Sequence, residues 1–263
     1  MKLEFLKVCF MGVVEGITEF FPVSSTAHLI LFQHILNLDL NHSESFHISI
    51  QIGAISAAAF HFKQSFLPFL SFKYWFSSAA QKLYLACFPV LIVGFLSYSF
   101  IKMYLFSLKS IVFALLIGGV FMIIAEKIIK KRVIITHLDQ ISYKKAFIIG
   151  LCQCMSLWPG MSRSASTIVG GILTGCSYTV AAEFSFIIGV PVLALAAIYD
   201  FLKMFSNFTT NDLIYIFVGI VVSFFVGYIA ILTFISLLNR YRLTPFAIYR
   251  MIIAGILATV LWL

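Results

Sequence analysis

Charge is what this sequence has least of. Only 18 Lys/Arg and 10 Asp/Glu occur in 263 residues, or 11% charged, where a soluble domain carries roughly 25%. That is too few to coat a water-exposed surface. A soluble enzyme, a nucleic-acid binder and a disordered chain are excluded together. The excess of basic residues does not restore a nucleic-acid partner, because most of them fall in short loops between apolar runs. Cysteine is also sparse. Cys9, Cys87, Cys152, Cys154 and Cys176 are odd in number and sit inside apolar stretches, so they read as small apolar residues and not as a disulfide or metal framework. A cleavable leader is not expected either, because the first apolar run leads into polar sequence without a small-residue cleavage site. What the chain has in abundance is hydrophobic surface: 62% of residues, with 29 Phe. A membrane span needs about 20 mainly apolar residues. The long continuous runs predict an all-α polytopic membrane protein, not the alternating segments of a β-barrel.

Six stretches have the length of a transmembrane helix: 46–62, 83–101, 110–129, 178–199, 213–238 and 245–263. The segment 65–77, with Pro68 and Lys73, predicts an interfacial helix. Two further apolar regions are interrupted by polar residues. Residues 8–36 contain Glu15, Glu19, Pro22, Ser24, Ser25, Thr26 and His28. Residues 146–175 contain Gln153, Pro159, Gly160, Ser162, Arg163, Ser164 and Thr167. Broken backbone at membrane depth survives only where protein or a water-filled cavity surrounds it. Both regions therefore predict re-entrant helix–loop–helix hairpins.

The two interruptions resemble each other. Gly12-x2-Glu15 precedes Pro22-x-Ser24-Ser25-Thr26, and Gly150-x2-Gln153 precedes Pro159-Gly160-x-Ser162-Arg163-Ser164. The chain reads as one integral membrane domain, 1–263, made of two diverged halves near 1–130 and 131–263. Loop charge supports an inverted relation between them. If neither hairpin crosses, five basic residues fall on one side and eleven on the other, including Lys130, Lys131 and Arg132. The richer side is expected to be cytoplasmic, which puts both termini on the outer face. Repeats with broken helices in matching positions point to a midplane site at their interface.

Ionisable residues inside membrane segments are costly and therefore functional candidates. Glu15, Glu19, His28, Arg163, Glu183 and Arg250 qualify. Glu15 and Glu19 share a helix face and repel unless a proton or cation lies between them. A divalent cation, Mg²⁺ or Ca²⁺, suits such hard oxygen ligands and commonly bridges to phosphates. Ser24, Ser25 and Thr26 can cap a half-helix whose free N–H groups would cradle a phosphate. Ser162 and Ser164 repeat the design, and Arg163 adds a planar fork suited to phosphate. Each part has a plainer explanation, since a Pro-Gly-Ser break is also what a simple kink looks like. Glu183 and Arg250, at similar depth, are expected either to pair or to reach the interface separately.

Taken together, these residues have a known counterpart. Glu15 to His28, reading EGITEFFPVSSTAH, resembles the first signature of the undecaprenyl-diphosphate phosphatase (bacitracin-resistance) family. Gln153 to Thr167, containing WPGMSRSAST, resembles its second. Gln51-Ile-Gly, Ser185-Phe186 and Pro245 to Arg250 also match in order, so the resemblance covers essentially the whole chain. It implies six transmembrane helices plus two re-entrant hairpins in an inverted repeat, in the bacterial plasma membrane. It also implies hydrolysis of a C55 isoprenyl diphosphate to the monophosphate carrier of cell-wall synthesis. Carried onto this chain, catalytic roles fall to Glu19, Ser24, Ser25, His28 and Arg163. Glu15 and Glu19 would hold the metal. Thr26, Gln51, Gln153, Gly160, Ser162, Ser164 and Thr167 would bind the polyprenyl diphosphate. Three residues depart from the pattern: Ala27 and Ala165 replace Gly, and His47 stands where an acidic residue is common. The nucleophile stays open between Ser24, Ser25, His28 and water. A transporter or lipid flippase is the alternative activity, because inverted repeats around a midplane site also build transporters. Oligomeric state is not legible.

Overall fold

A computed structural model describes residues 2–38, 43–128 and 134–262. The basic cluster Lys130, Lys131 and Arg132 lies outside the described residues. The described chain is helical, with one isolated β-bridge between Ile135 and Cys176. The helices are α1 (Lys2–Thr18), α2 (Ser25–Ile35), α3 (Ser43–His61), the single turn α4 (Lys63–Phe66), α5 (Ser78–Phe100), α6 (Leu108–Ile128), α7 (Tyr143–Gln153), α8 (Arg163–Leu173), α9 (Tyr178–Met204), α10 (Thr210–Tyr241) and α11 (Thr244–Trp262). Their starts follow local chemistry. Ser77, Ser142 and Ser177 each cap the helix that follows with a side-chain oxygen, and Thr209 and Asp212 form a capping box.

Four helices, α5, α6, α9 and α10, are long and apolar enough to cross a membrane. The outward faces of these helices carry Phe95, Leu96, Leu202, Phe217 and Phe225, which are more than half exposed. Large apolar side chains exposed in such density need a hydrocarbon partner. The two other expected spans are helical but differ in character. On α3, Ser45, His47 and Ser49 are buried, so this helix turns polar side chains inward and gains less from lipid. α11, Thr244–Trp262, is apolar, without an acidic residue in its first turn or a basic residue in its last.

The segment 65–77 does not form the continuous interfacial helix that its composition suggests. It breaks into α4 and two 3₁₀ turns, Leu67–Leu70 and Phe72–Tyr74, separated by extended Ser71. Pro68 has no N–H to donate back into a helix, which ends the regular turn there.

Helix pairing places both broken regions centrally. α1 packs on α10, and α7 packs on α5, so the first arm of each broken region lies against a long helix distant from it in sequence. α3 lies against α9 and α10, α8 against α9, and α6 against α11. The first turn is seated in phenylalanine: Phe20 packs edge-on to Phe186, and Phe21 contacts Phe234 and Phe246.

The α3 and α10 backbones approach closely at Gly53. A Cβ at Gly53 would overlap the Ile220 carbonyl oxygen, and backbone cannot swing aside as a side chain can. Gly53→Ala is expected to destabilise by about 1–3 kcal/mol through overpacking. The check is thermal unfolding in detergent, and an unchanged midpoint would contradict the close packing.

Candidate active site

Each hairpin turns on a serine in an unusual backbone conformation. Ser24 has φ 75° and Ser162 has φ 70°, a region that residues with a Cβ seldom occupy. Each serine then caps the half-helix it starts. Ser24 Oγ accepts from the Ala27 N–H, and Ser162 Oγ accepts from the Ala165 N–H. Gly160, with φ 100°, lets the second turn reverse tightly. Among the described residues, no acceptor takes the N–H groups of Ser24, Ser25 and Thr26, or of Ser162, Arg163 and Ser164. Two helix N-termini thus keep free donors, the usual equipment for binding phosphate.

The two turns are bonded to each other. Arg163 Nη2 lies 2.8 Å from Glu19 Oε1, an ion pair across 144 residues of sequence. Ser25 Oγ donates to the other carboxylate oxygen, Glu19 Oε2, at 2.9 Å. Ser164 Oγ donates to the Phe21 carbonyl at 3.0 Å. Ser25, Glu19 and Arg163 therefore form a continuous relay: hydroxyl, carboxylate, guanidinium. All three are largely shielded from solvent, so the charges act in a low dielectric. The second Arg163 amine donates to the Ser185 carbonyl at 3.0 Å, and Thr167 Oγ1 is 2.6 Å from Ser185 Oγ. Glu15, one turn before Glu19, is fully buried, and neither carboxylate oxygen has a hydrogen-bond partner.

His28 is held at both ring nitrogens. Nδ1 is 2.8 Å from the Ser24 carbonyl, which can only accept, so Nδ1 carries the proton and donates. Nε2 is 2.9 Å from the Tyr249 hydroxyl, which donates to it in the neutral ring. Arg250, the next residue, neither pairs with Glu183 nor reaches the interface. It is fully buried, and its hydrogen bonds go to the carbonyls of Gly160, Met161 and Ala114. The expected alternatives for Arg250 both fail, because main-chain carbonyls of the second turn and of α6 take its two terminal nitrogens in place of a carboxylate, while Nε has no partner.

Comparison with known proteins decides the family. The family model described as bacitracin resistance protein BacA matches residues 8–256. The chain belongs to the bacitracin resistance protein BacA family. Among its relatives, proteins named undecaprenyl-diphosphatase from Bacillus velezensis and Geobacillus thermodenitrificans are 38% and 39% identical, each alignment covering 97% of both chains. One from Caldanaerobacter subterraneus is 39% identical over 96% of this chain and 95% of its own.

The remaining site candidates are spread around this BacA-family core. Gln51 and Thr26 line a cavity of about 760 Å³ with His47, Ile30, Leu31 and Leu257. Thr26 is the residue that follows Ser25 in α2. Gln153 is buried and donates to the Ala86 carbonyl on α5, while its Oε1 is unpartnered. Thr167 also donates to the Arg163 carbonyl, tying α8 to α9 instead of pointing a free hydroxyl outward. The alanines at 27 and 165 supply the N–H groups that the capping serines bind, and a methyl does not disturb that bond.

Four contributors escaped the sequence. Gly189 clears the space that the Arg163 guanidinium fills, since a Cβ there would lie 2.6 Å from Cζ. Gly118 does the same for Arg250. Tyr249 engages His28, and buried Glu126 on α6 accepts from the N–H groups of Leu243 and Thr244 at the start of α11. A lone glycine in an apolar helix carries no sign of what it accommodates.

Among the described residues, no group of three or more His, Cys, Asp or Glu converges as a metal site. Glu15 lies one turn before Glu19, close enough to it and to Arg163 to interact electrostatically. A fully buried carboxylate without a donor needs a proton or a cation. Its two unpartnered oxygens are of the donor type that a hard cation would take.

Proposed function

We propose that this chain is an integral membrane phosphatase converting undecaprenyl diphosphate to undecaprenyl phosphate and inorganic phosphate. The observation that carries this is the Ser25–Glu19–Arg163 relay, set between two half-helix N-termini with free N–H groups. Ser25 Oγ attacks the terminal phosphorus and passes its proton to Glu19. The bond from that phosphorus to the bridging oxygen breaks, and the polyprenyl monophosphate departs carrying the proton that Glu19 held, which returns Glu19 to its carboxylate form. Glu19 then takes a proton from water as the water attacks the phosphoserine, and passes it to Ser25 Oγ as inorganic phosphate leaves. Arg163 and the free N–H groups of both turns stabilise charge on the transferring phosphoryl group. Ser24 serves as a cap, and His28 is occupied at both nitrogens, which leaves Ser25 as the available nucleophile.

The cavity beside Thr26 combines apolar walls with amide and imidazole side chains, as an amphiphilic isoprenyl diphosphate requires. We place six spans and two re-entrant hairpins in the plasma membrane, as inverted halves with both termini outward. The exchange of partners, α1 on α10 and α7 on α5, supports that arrangement.

Glu15 and Glu19 would hold a divalent cation, Mg²⁺ or Ca²⁺. When bound, the cation supplies positive charge to neutralise the diphosphate. Exhaustive chelation is therefore expected to abolish phosphate release, and either ion to restore it. Undiminished turnover after chelation would leave a shared proton on the two carboxylates.

Phosphate release from undecaprenyl diphosphate by purified protein in detergent tests the activity itself. Transport or flipping needs a sealed compartment and hydrolysis does not. No release under these conditions would favour the flippase.

A further inference from the structure

We infer that Arg250 is a positioning residue for the proposed phosphatase reaction, holding the second turn so that its N–H donors face the phosphoryl group. The inference rests on that proposed activity. A fully buried arginine at membrane depth is expensive unless its donors are satisfied. Arg250 has no carboxylate partner among the described residues. Instead Nη1 donates to the Met161 carbonyl at 3.0 Å, and Nη2 donates to the carbonyls of Gly160 and of Ala114, the latter at 3.3 Å. Two consecutive turn carbonyls and one from α6 are thus gathered on a single guanidinium.

The consequence follows from peptide geometry. In a planar trans peptide, C=O and N–H point in opposite directions. With the Met161 carbonyl drawn to Arg250, the Ser162 N–H must point away from it. The Gly160 carbonyl likewise turns the Met161 N–H inward, where it bonds the Trp158 carbonyl at 3.0 Å. Ser162 sits at φ 70°, a conformation that relaxes unless its surroundings hold it. Arg250 supplies that hold from behind. Its place is cut into α6, because a Cβ at Gly118 would lie 2.6 Å from Nη2. Adjacent Gly119 faces Met251 and the Ala247 carbonyl instead, so the two glycines separate guanidinium placement from general α6–α11 packing.

The experiment measures phosphate release from undecaprenyl diphosphate by purified wild type, Arg250→Met, Arg250→Lys, Gly118→Ala and Gly119→Ala. Amide hydrogen exchange of the 160–164 segment is read on the same preparations. Misplacing a catalytic group costs about 100-fold, so Arg250→Met is expected to lose that much in kcat. KM should stay within about threefold, because the arginine itself does not touch substrate. Arg250→Lys, which reaches one carbonyl but not three, should retain more activity than Arg250→Met. Gly118→Ala keeps the charge but displaces the guanidinium, and should lower kcat well below Gly119→Ala. Exchange at 160–164 should accelerate in Arg250→Met and Gly118→Ala. Equal losses in the two glycine variants, or unchanged exchange in both Arg250→Met and Gly118→Ala, would overturn the inference. A folded wild type that releases no phosphate would overturn the proposed activity, and exchange at 160–164 would then decide whether Arg250 holds the turn.

Discussion

Ser25→Ala is expected to lower phosphate release by at least ~10³-fold, the scale of losing a nucleophile that acts as part of a unit. Its hydroxyl is the one among the candidates that donates to a carboxylate, Glu19 Oε2. That carboxylate is fixed from its other oxygen by Arg163, so base and nucleophile are aligned before substrate arrives. Ser24→Ala makes the contrast. It removes a cap, which costs about 0.5–2 kcal/mol of stability, and should leave most of kcat once folding is confirmed. Rapid quenching with labelled substrate should trap phosphoprotein in wild type and in Ser24→Ala, but not in Ser25→Ala. The reverse pattern would move the nucleophile to Ser24. Phosphate release by Ser25→Ala within tenfold of wild type would point to water.

The second large effect concerns the ion pair that joins the two turns. Arg163→Ala and Glu19→Gln should each reduce turnover by about 10²–10³-fold, the range for one lost electrostatic contributor in a water-poor site. Their double variant should lose less than the product of the two, because residues acting as a unit are not additive. Arg163→Lys should rescue poorly. A single ammonium cannot reach Glu19 and Ser185 as the planar fork does. Removing one partner of a buried pair also costs about 3–5 kcal/mol, so folding is checked by size exclusion and melting before rates are compared. Independent, multiplicative losses in the double variant would refute the relay.

Much of the fold is legible in the order of the residues. Scarce charge and long apolar runs announce a helical membrane protein, and the helices fall where the runs lie. The breaks at Pro22 and Pro159 are visible because helix period and polarity change there, both local properties of the chain. The shared face of Glu15 and Glu19 follows from their spacing alone. Composition misleads at 65–77, where it matches an interfacial helix while Pro68 denies that helix its hydrogen bonds.

Which charge meets which is decided elsewhere. Glu19 by its letter could have been only a cation ligand, yet the packing of α1 on α10 and α8 on α9 brings Arg163 to it. By depth alone Arg250 is a partner for Glu183, but Gly118 opens a place where backbone carbonyls outcompete a carboxylate. Ser24 and Ser25 are indistinguishable as letters, and only the φ of 75° at Ser24 turns one into a cap and the other toward Glu19. Sequence by itself determined the solvent each segment prefers and the residues that a membrane would not hold idle, since burial and helix period are written locally. Tertiary structure alone determined their pairing, because a buried charge takes whatever donor or acceptor the neighbouring helix presents within about 3 Å.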